Sequence, residues 1–344
     1  MIDRNICLSH FLAFRYVYDD AEFCSNIRHQ RYHRQNIRST YIHSAKDLDI
    51  ALRNVFRMIS NERLGLLLSG GMDSAILASY MPQGSDAYTF RFNGGSFQSD
   101  ELHRAEEYAS YCHLNLNYID IDWPAVEGCV DVCMKRKGAP VHSIEPQIYC
   151  AAKASKEKGN TLIVIGDGAD YVFGGMDGLY ANDWSFDGFI KRYIYIDPKE
   201  ALVEPADISS VFEPYRIGPN SIDYMSFLNE LCTDESYASY ENAIGAAGIC
   251  HIDPYANMRM APPLDISRLR NNDSKYIIRE LFRMRYNNFP IPKKNPMPRP
   301  VDDFFKDWQG PTRPEFRKDI PINELTGNQK WQLWCAERFL NMID

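Results

Sequence analysis

The sequence predicts an α/β protein, a doubly wound parallel sheet followed by a mostly helical C-terminal lobe. Three observations carry the α/β part. Strand-like segments at Leu64 to Leu68, Tyr88 to Phe92, Leu116 to Ile121 and Thr161 to Ile165 alternate with stretches of helical period. Strands separated by helices imply parallel, right-handed crossovers. Leu64 to Leu68 is also apolar throughout, as a strand covered on both faces must be, and glycine-rich loops follow the first and fourth runs directly.

The 344 residues correspond to about two domains at ~150 residues each. With 38 Lys and Arg against 46 Asp and Glu, the formal charge is −8. That balance argues against nucleic acid or an anionic membrane as the main partner. The apolar runs fall far short of the ~20 residues a spanning helix needs. The nine cysteines contain no C-x-x-C pair, and Cys129 and Cys133 read as core residues at helical spacing. A cytoplasmic location is expected. His103, His113 and His142 show no metal-ligand spacing, and Trp184, Tyr193 and Tyr195 read as core aromatics, with a substrate pocket as the alternative.

Taken in order, residues 1–43 show no clear period and are expected to form an extended N-terminal arm. Ser44 with Asp47 three residues on marks a helix start, and Leu48, Leu52, Val55 and Ile59 continue it to about Ser60. Residues 44–178 form the predicted α/β core. After its first strand and the Ser69–Ser74 loop, a helix begins near Ala75. Ser99-Asp100-Glu101 opens the next helix, and one through Val126, Val130 and Cys133 ends at Gly138-Ala139-Pro140. Another covers about Glu145 to Lys158. Residues 179–344 are expected to form the helical lobe, with helices near Tyr224 to Leu231 and Lys275 to Tyr286. Residues 290–300 hold five prolines, which exclude helix and central strand, so an ordered loop or lid is expected there.

The loop Ser69-Gly70-Gly71-Met72-Asp73-Ser74 has the make-up of an anion cradle. Its glycines allow close backbone approach, its hydroxyls donate, and the start of a helix favours phosphate. Asp73 is an oxygen ligand suited to Mg²⁺. No Walker motif is present. The loop resembles the S-G-G-x-D-S pyrophosphate loop of the N-type ATP pyrophosphatases. A second stretch, Gly166-Asp167-Gly168-Ala169-Asp170-Tyr171-Val172-Phe173-Gly174-Gly175, resembles the G-E-G-A-D-E-L-F-G-G stretch of asparagine synthetases and their β-lactam synthetase relatives. Asp253-Pro254-Tyr255-Ala256-Asn257, Lys275-Tyr276-Ile277-Ile278-Arg279-Glu280 and Lys294 to Pro300 resemble three later motifs of the same family.

The resemblance spans about residues 10 to 310. It implies nucleotide contacts from Leu68, Ser69, Gly70, Gly71, Asp73, Ser74, Phe90 and Gly166, and Mg²⁺ held by Asp73 and Asp170. It also implies catalytic roles for Asp167, beside the acceptor, and for Lys294, neutralising phosphate charge, with Lys293 as its adjacent competitor. Asp167 and Tyr171 depart from the acids of asparagine synthetases. The implied activity is an ATP-dependent carbon–nitrogen ligase that adenylates a small-molecule or peptide carboxylate for attack by ammonia or an amine. Intramolecular β-lactam or macrolactam closure is an alternative, as is amidation of a sugar acid with ammonia from a separate glutaminase subunit. A nucleotide-binding assembly subunit is the non-enzymatic alternative. The family's own glutaminase domain, with its cysteine after the initiator Met, has no counterpart in a sequence opening Met1-Ile2, so hydrolysis of glutamine by this chain is not expected.

Overall fold

The computed structural model describes residues 1–32, 39–92, 99–293 and 297–344. A parallel sheet of five strands runs through the middle. Its members are β2 (Leu64–Leu67), β3 (Asp86–Phe92), β4 (Asn115–Ile121), β5 (Leu162–Val164) and β8 (Cys250–Ile252), in spatial order β4-β3-β2-β5-β8. Two small pairs lie outside it: β1 (Thr40–Ile42) with β9 (Met258–Met260), parallel, and β6 (Arg216–Ile217) with β7 (Ser221–Ile222), antiparallel. Chain order reverses direction between β2 and β5, so the crevice at their carboxyl ends is the topological switch point at which ligands bind in such sheets.

Local signals account for most boundaries. Helix α2 (Ala45–Met58) starts at Ser44, whose hydroxyl accepts from the Asp47 amide at 3.2 Å. Helix α3 (Met72–Ala78) follows β2, and α4 (Ser99–Tyr111) follows β3. Helix α5 (Trp123–Lys137) begins at an Asp122 cap with Pro124 in its first turn and ends at Gly138 in the left-handed conformation. Helix α6 (Glu145–Glu157) leads into β5. Alternation in β5 serves both faces of the sheet. Val164 packs with α2, α3 and the helix Tyr276–Arg285, while Ile163 and Ile165 pack with α6 and the helix Cys232–Ala247. Among the described residues no helix is long and apolar enough to cross a membrane.

Two expectations need correction. Residues 1–43 are not an extended arm, because α1 (Arg4–Phe14) lies inside the protein. Every residue from Cys7 to Phe14 is buried, so the segment has no polar face and therefore no helical period to read. Its one start signal is Asp3, whose carboxylate accepts from the Ile6 amide at 3.0 Å. Helix α1 shares a core with α5 and the C-terminal helix Gly327–Ile343, and Gln332 Nε2 donates to the carbonyls of Phe11 and Leu12.

The second correction concerns the boundary at residue 178. The region after it is not purely a helical lobe, since β8 completes the sheet beside β5 and β9 pairs with β1. A three-residue strand with the sequence Cys-His-Ile leaves no alternation to detect. Removing the Phe11 side chain should destabilise the protein by about 3–5 kcal/mol, the usual cost of deleting a buried aromatic ring. Chemical denaturation of Phe11→Ala would measure this; an appended arm would give a change near zero.

Candidate active site

At the switch point the loop after β2 and the loop after β5 face one cavity of about 230 Å³. Its lining includes Leu68, Ser69, Gly70, Gly71, Asp73, Ser74, Phe90, Gly166, Asp167 and Asp170, so ten positions singled out from sequence come together. The eleventh, Lys294, lies outside the described residues, although its neighbour Lys293 reaches the cavity wall.

The Ser69–Ser74 loop is held open from within. The Ser74 hydroxyl accepts from the Ser69 amide at 3.1 Å and lies 3.0 Å from the Ser69 hydroxyl, which accepts in turn from the Gly71 amide at 3.1 Å. Arg104 Nε donates to the Gly70 carbonyl at 2.9 Å. The start of α4 passes so close that a side chain at position 70 could not be accommodated. A Cβ there would lie 2.5 Å from the Glu101 carbonyl oxygen.

One residue organises the carboxylates. Lys275 Nζ donates to Asp73 Oδ2 at 2.6 Å and lies 2.9 Å from Asp170 Oδ1. Burial works against its charge, and the two neighbouring carboxylates outweigh that effect, so the ammonium is held charged above its ordinary range. Lys275 occupies the left-handed region at φ 53°, a conformation that costs a non-glycine residue of order 1–3 kcal/mol. Gly175 leaves room for this pairing, since a Cβ there would fall 1.9 Å from Asp170 Oδ1 and 2.3 Å from Lys275 Cε. In the sequence Lys275 stands in a helical motif with nothing to mark a role; its approach to Asp73 and Asp170 exists only in the folded chain.

Asp167 has a different state. It is half-buried in the cavity wall, and desolvation, reinforced by Asp253, Asp170 and Glu235, pushes its carboxyl well above the usual carboxylate range. Its Oδ2 has no hydrogen-bond partner among the described residues. A neutral carboxyl at this wall can donate a hydrogen bond to a ligand oxygen. Behind it, Asp253 anchors the loop by accepting from the amides of Gly168 at 2.6 Å and Tyr255 at 2.9 Å, while the Tyr255 hydroxyl donates to the Asp73 carbonyl at 3.0 Å. Thus the residues after β8 tie the two loops together.

Residues 48–209 match the family model of asparagine synthase. They are similar to an asparagine synthase domain over slightly less than half of the chain. Over 200 residues the chain is 23% identical to a protein of Methanocaldococcus jannaschii whose name marks it provisionally as asparagine synthetase, glutamine-hydrolysing; the match covers 55% of this chain and 34% of that one. The chain thus spans about a third of the curated relative's length. Among solved structures, the tRNA thiolase NcsA of Methanococcus maripaludis is 12% identical with a TM-score of 0.30, covering 92% of this chain and 89% of its own. An NMN synthetase of Francisella tularensis is 14% identical with a TM-score of 0.28, covering 75% and 99%. The family match supports a ligase that uses ATP.

Burial raises the Asp253 carboxyl to about 7, against the opposing effect of the amides it accepts from. Between pH 4 and 7 the unfolded chain therefore ionises this group while the folded chain keeps it protonated, and folding stability falls as pH rises. The stability difference between the unmodified protein and Asp253→Asn should accordingly shift in favour of the variant from pH 4 to pH 7, measured by denaturant titration at each pH. A difference constant across that window would show that Asp253 ionises normally in the fold.

Proposed function

We propose that this protein is an ATP-dependent carbon–nitrogen ligase that activates a substrate carboxylate as its acyl-adenylate. The observation that carries the reading is the Asp73–Lys275–Asp170 arrangement in the same cavity as the Ser69–Ser74 loop. Two carboxylates that follow adjacent strands, with one ammonium between them, leave a net negative charge at the wall, which suits the counter-ion of a polyphosphate.

ATP is the co-substrate in this reading. Leu68 and Phe90 offer apolar wall, Gly166 permits close approach, and Ser69, Gly70, Gly71 and Ser74 form the phosphate cradle. Oxygen-only donors suit a hard cation, and both carboxylates already hold one positive charge, the Lys275 ammonium. Asp73 and Asp170 would therefore hold Mg²⁺, which neutralises phosphate charge when bound. A carboxylate oxygen of the substrate attacks the α-phosphorus, the bond from that phosphorus to the β-bridging oxygen breaks, and pyrophosphate leaves. Ammonia or an amine then attacks the acyl carbon, sheds a proton to water and displaces AMP. Lys275, with Lys294 from the proline-rich loop, offsets the negative charge that builds on the leaving pyrophosphate, and neutral Asp167 donates to an oxygen of the acceptor. Positioning and electrostatics supply the catalysis. The catalytic unit comprises the core of residues 44–178 together with Asp253, Lys275 and the 290–300 loop.

Pyrophosphate release from ATP, measured with a panel of carboxylates with and without ammonium, separates this reading from a nucleotide-binding assembly subunit, which would release none. Asp73→Asn and Asp170→Asn should each abolish the activity with the thermal transition retained; unchanged turnover in both would refute the metal assignment.

The proline loop provides an independent check. Losing a cation that acts on transition-state charge costs roughly 2.7–4 kcal/mol, or ~10²–10³ in rate. Lys294→Ala should slow pyrophosphate release by about that factor, with a smaller effect on ATP affinity, and Lys293→Ala should do much less. Reversed behaviour would assign the role to Lys293, and two neutral variants would leave the loop without a catalytic part.

A further inference from the structure

A second cavity, of about 620 Å³, adjoins the first, with Asp170 in the wall of both. Its volume falls within the roughly 300–1,000 Å³ of pockets that enclose drug-sized molecules. Aromatic side chains dominate its wall: Phe14 at the end of α1, Tyr171 directly after Asp170, and Tyr193 and Tyr195. Tyr193 thus reaches a pocket as well as packing against the core, while Tyr195 lines the pocket and is partly exposed.

Arg15, Asp170, Asp177, Arg192 and Glu235 bring charge to the same wall. Arg15 stacks on the Tyr195 ring with its guanidinium carbon 3.6 Å from the centroid and also hydrogen-bonds the Tyr195 hydroxyl. Its Nη1 lies 2.6 Å from His142 Nε2, and Arg299 Nη1 approaches the same nitrogen at 3.2 Å. Burial, with both arginines, holds His142 neutral, so this nitrogen accepts from the guanidinium groups. Arg15 Nε remains, 3.6 Å from Glu235 Oε1. Glu235 Oε1 also lies 3.2 Å from His142 Nδ1, yet neither it nor Arg15 Nε makes a well-aligned hydrogen bond among the described residues, a state that a ligand can relieve. Arg15 is also one of four non-glycine residues with positive φ among those described, at 60°. The left-handed turn that ends α1 is therefore maintained where it delivers this side chain.

A donor and an acceptor lying side by side match the N–H and C=O that one residue of an extended peptide turns to the same side, the pairing exchanged in antiparallel sheets. The surrounding rings suit a bulky apolar or aromatic side chain. We propose that the second cavity binds the body of the ligase's carboxylate substrate, and that this substrate is a peptide with an aromatic residue next to the carboxylate-bearing one. The carboxylate passes Asp170 to reach the nucleotide cavity. The inference rests on the ligase reading for its chemistry and on the second cavity for its specificity.

Calorimetric binding and pyrophosphate release would be measured with free aspartate and the tripeptides Gly-Phe-Asp and Gly-Gly-Asp. Gly-Phe-Asp should bind at least about tenfold tighter than the other two, with a correspondingly higher kcat/KM. Leu179→Trp, which fills the cavity, should weaken Gly-Phe-Asp binding by about tenfold or more and leave ATP binding unchanged; Met176→Phe serves if Leu179→Trp does not fold. Equal turnover of aspartate and Gly-Phe-Asp, with filled variants behaving normally, would overturn the peptide assignment while leaving the ligase standing. Tight Gly-Phe-Asp binding that the filled variants lose, without pyrophosphate from any acid, would sustain the peptide site and overturn the ligase. No binding of Gly-Phe-Asp would overturn the proposal outright.

Discussion

The Lys275 ammonium between Asp73 and Asp170 is the interaction on which the rest of the site depends. It joins three segments that lie far apart along the chain, and each has been shaped to permit it. Gly175 leaves the space, Lys275 accepts a left-handed backbone, and Asp253 with Tyr255 locks the flanking loops in register. A buried ion pair adds little net stability, because desolvation offsets most of the Coulomb attraction. Its consequence here is geometric. Two acids that would repel one another are brought to one wall beside an ammonium, while burial pushes the carboxyl of Asp167, three residues before Asp170, well above the usual range. Neighbouring carboxyl groups thereby acquire different chemistry from their surroundings alone.

The sheet topology explains why the site lies where it does. Reversal of strand order between β2 and β5 opens a crevice that the crossovers cannot cover, and the two glycine-rich loops emerge at its rim. Strand β8 extends the sheet on the far side of β5 and returns the chain to the crevice at Asp253. The C-terminal half is therefore part of the site's foundation. Helix α1 has a similar place, because its final turn delivers Phe14 and Arg15 to the second cavity.

Much of this was legible in the sequence. The strand Leu64 to Leu67 shows in its unbroken apolar run, α2 in its Ser44 cap, and α5 in its Gly138 end, because these signals act within a few residues. Helix α1 was not legible. A helix buried on every side carries no periodic contrast between faces, and periodicity is the quantity sequence reading detects. Strand β8 was too short to alternate. Arg15 and His142 gave no signal at all, since their pairing joins positions 127 residues apart.

By itself the sequence determined the alternation of strands and helices, the two glycine-rich loops and the acids placed on them, all consequences of local stereochemistry and short-range hydrophobic pattern. Tertiary structure alone decided which cation meets those acids, which carboxyl stays protonated, and that a second cavity lies beside Asp170. The physical reason is that charge state and cavity shape depend on desolvation and on neighbours supplied by remote segments, and neither is encoded in the spacing of residues along the chain.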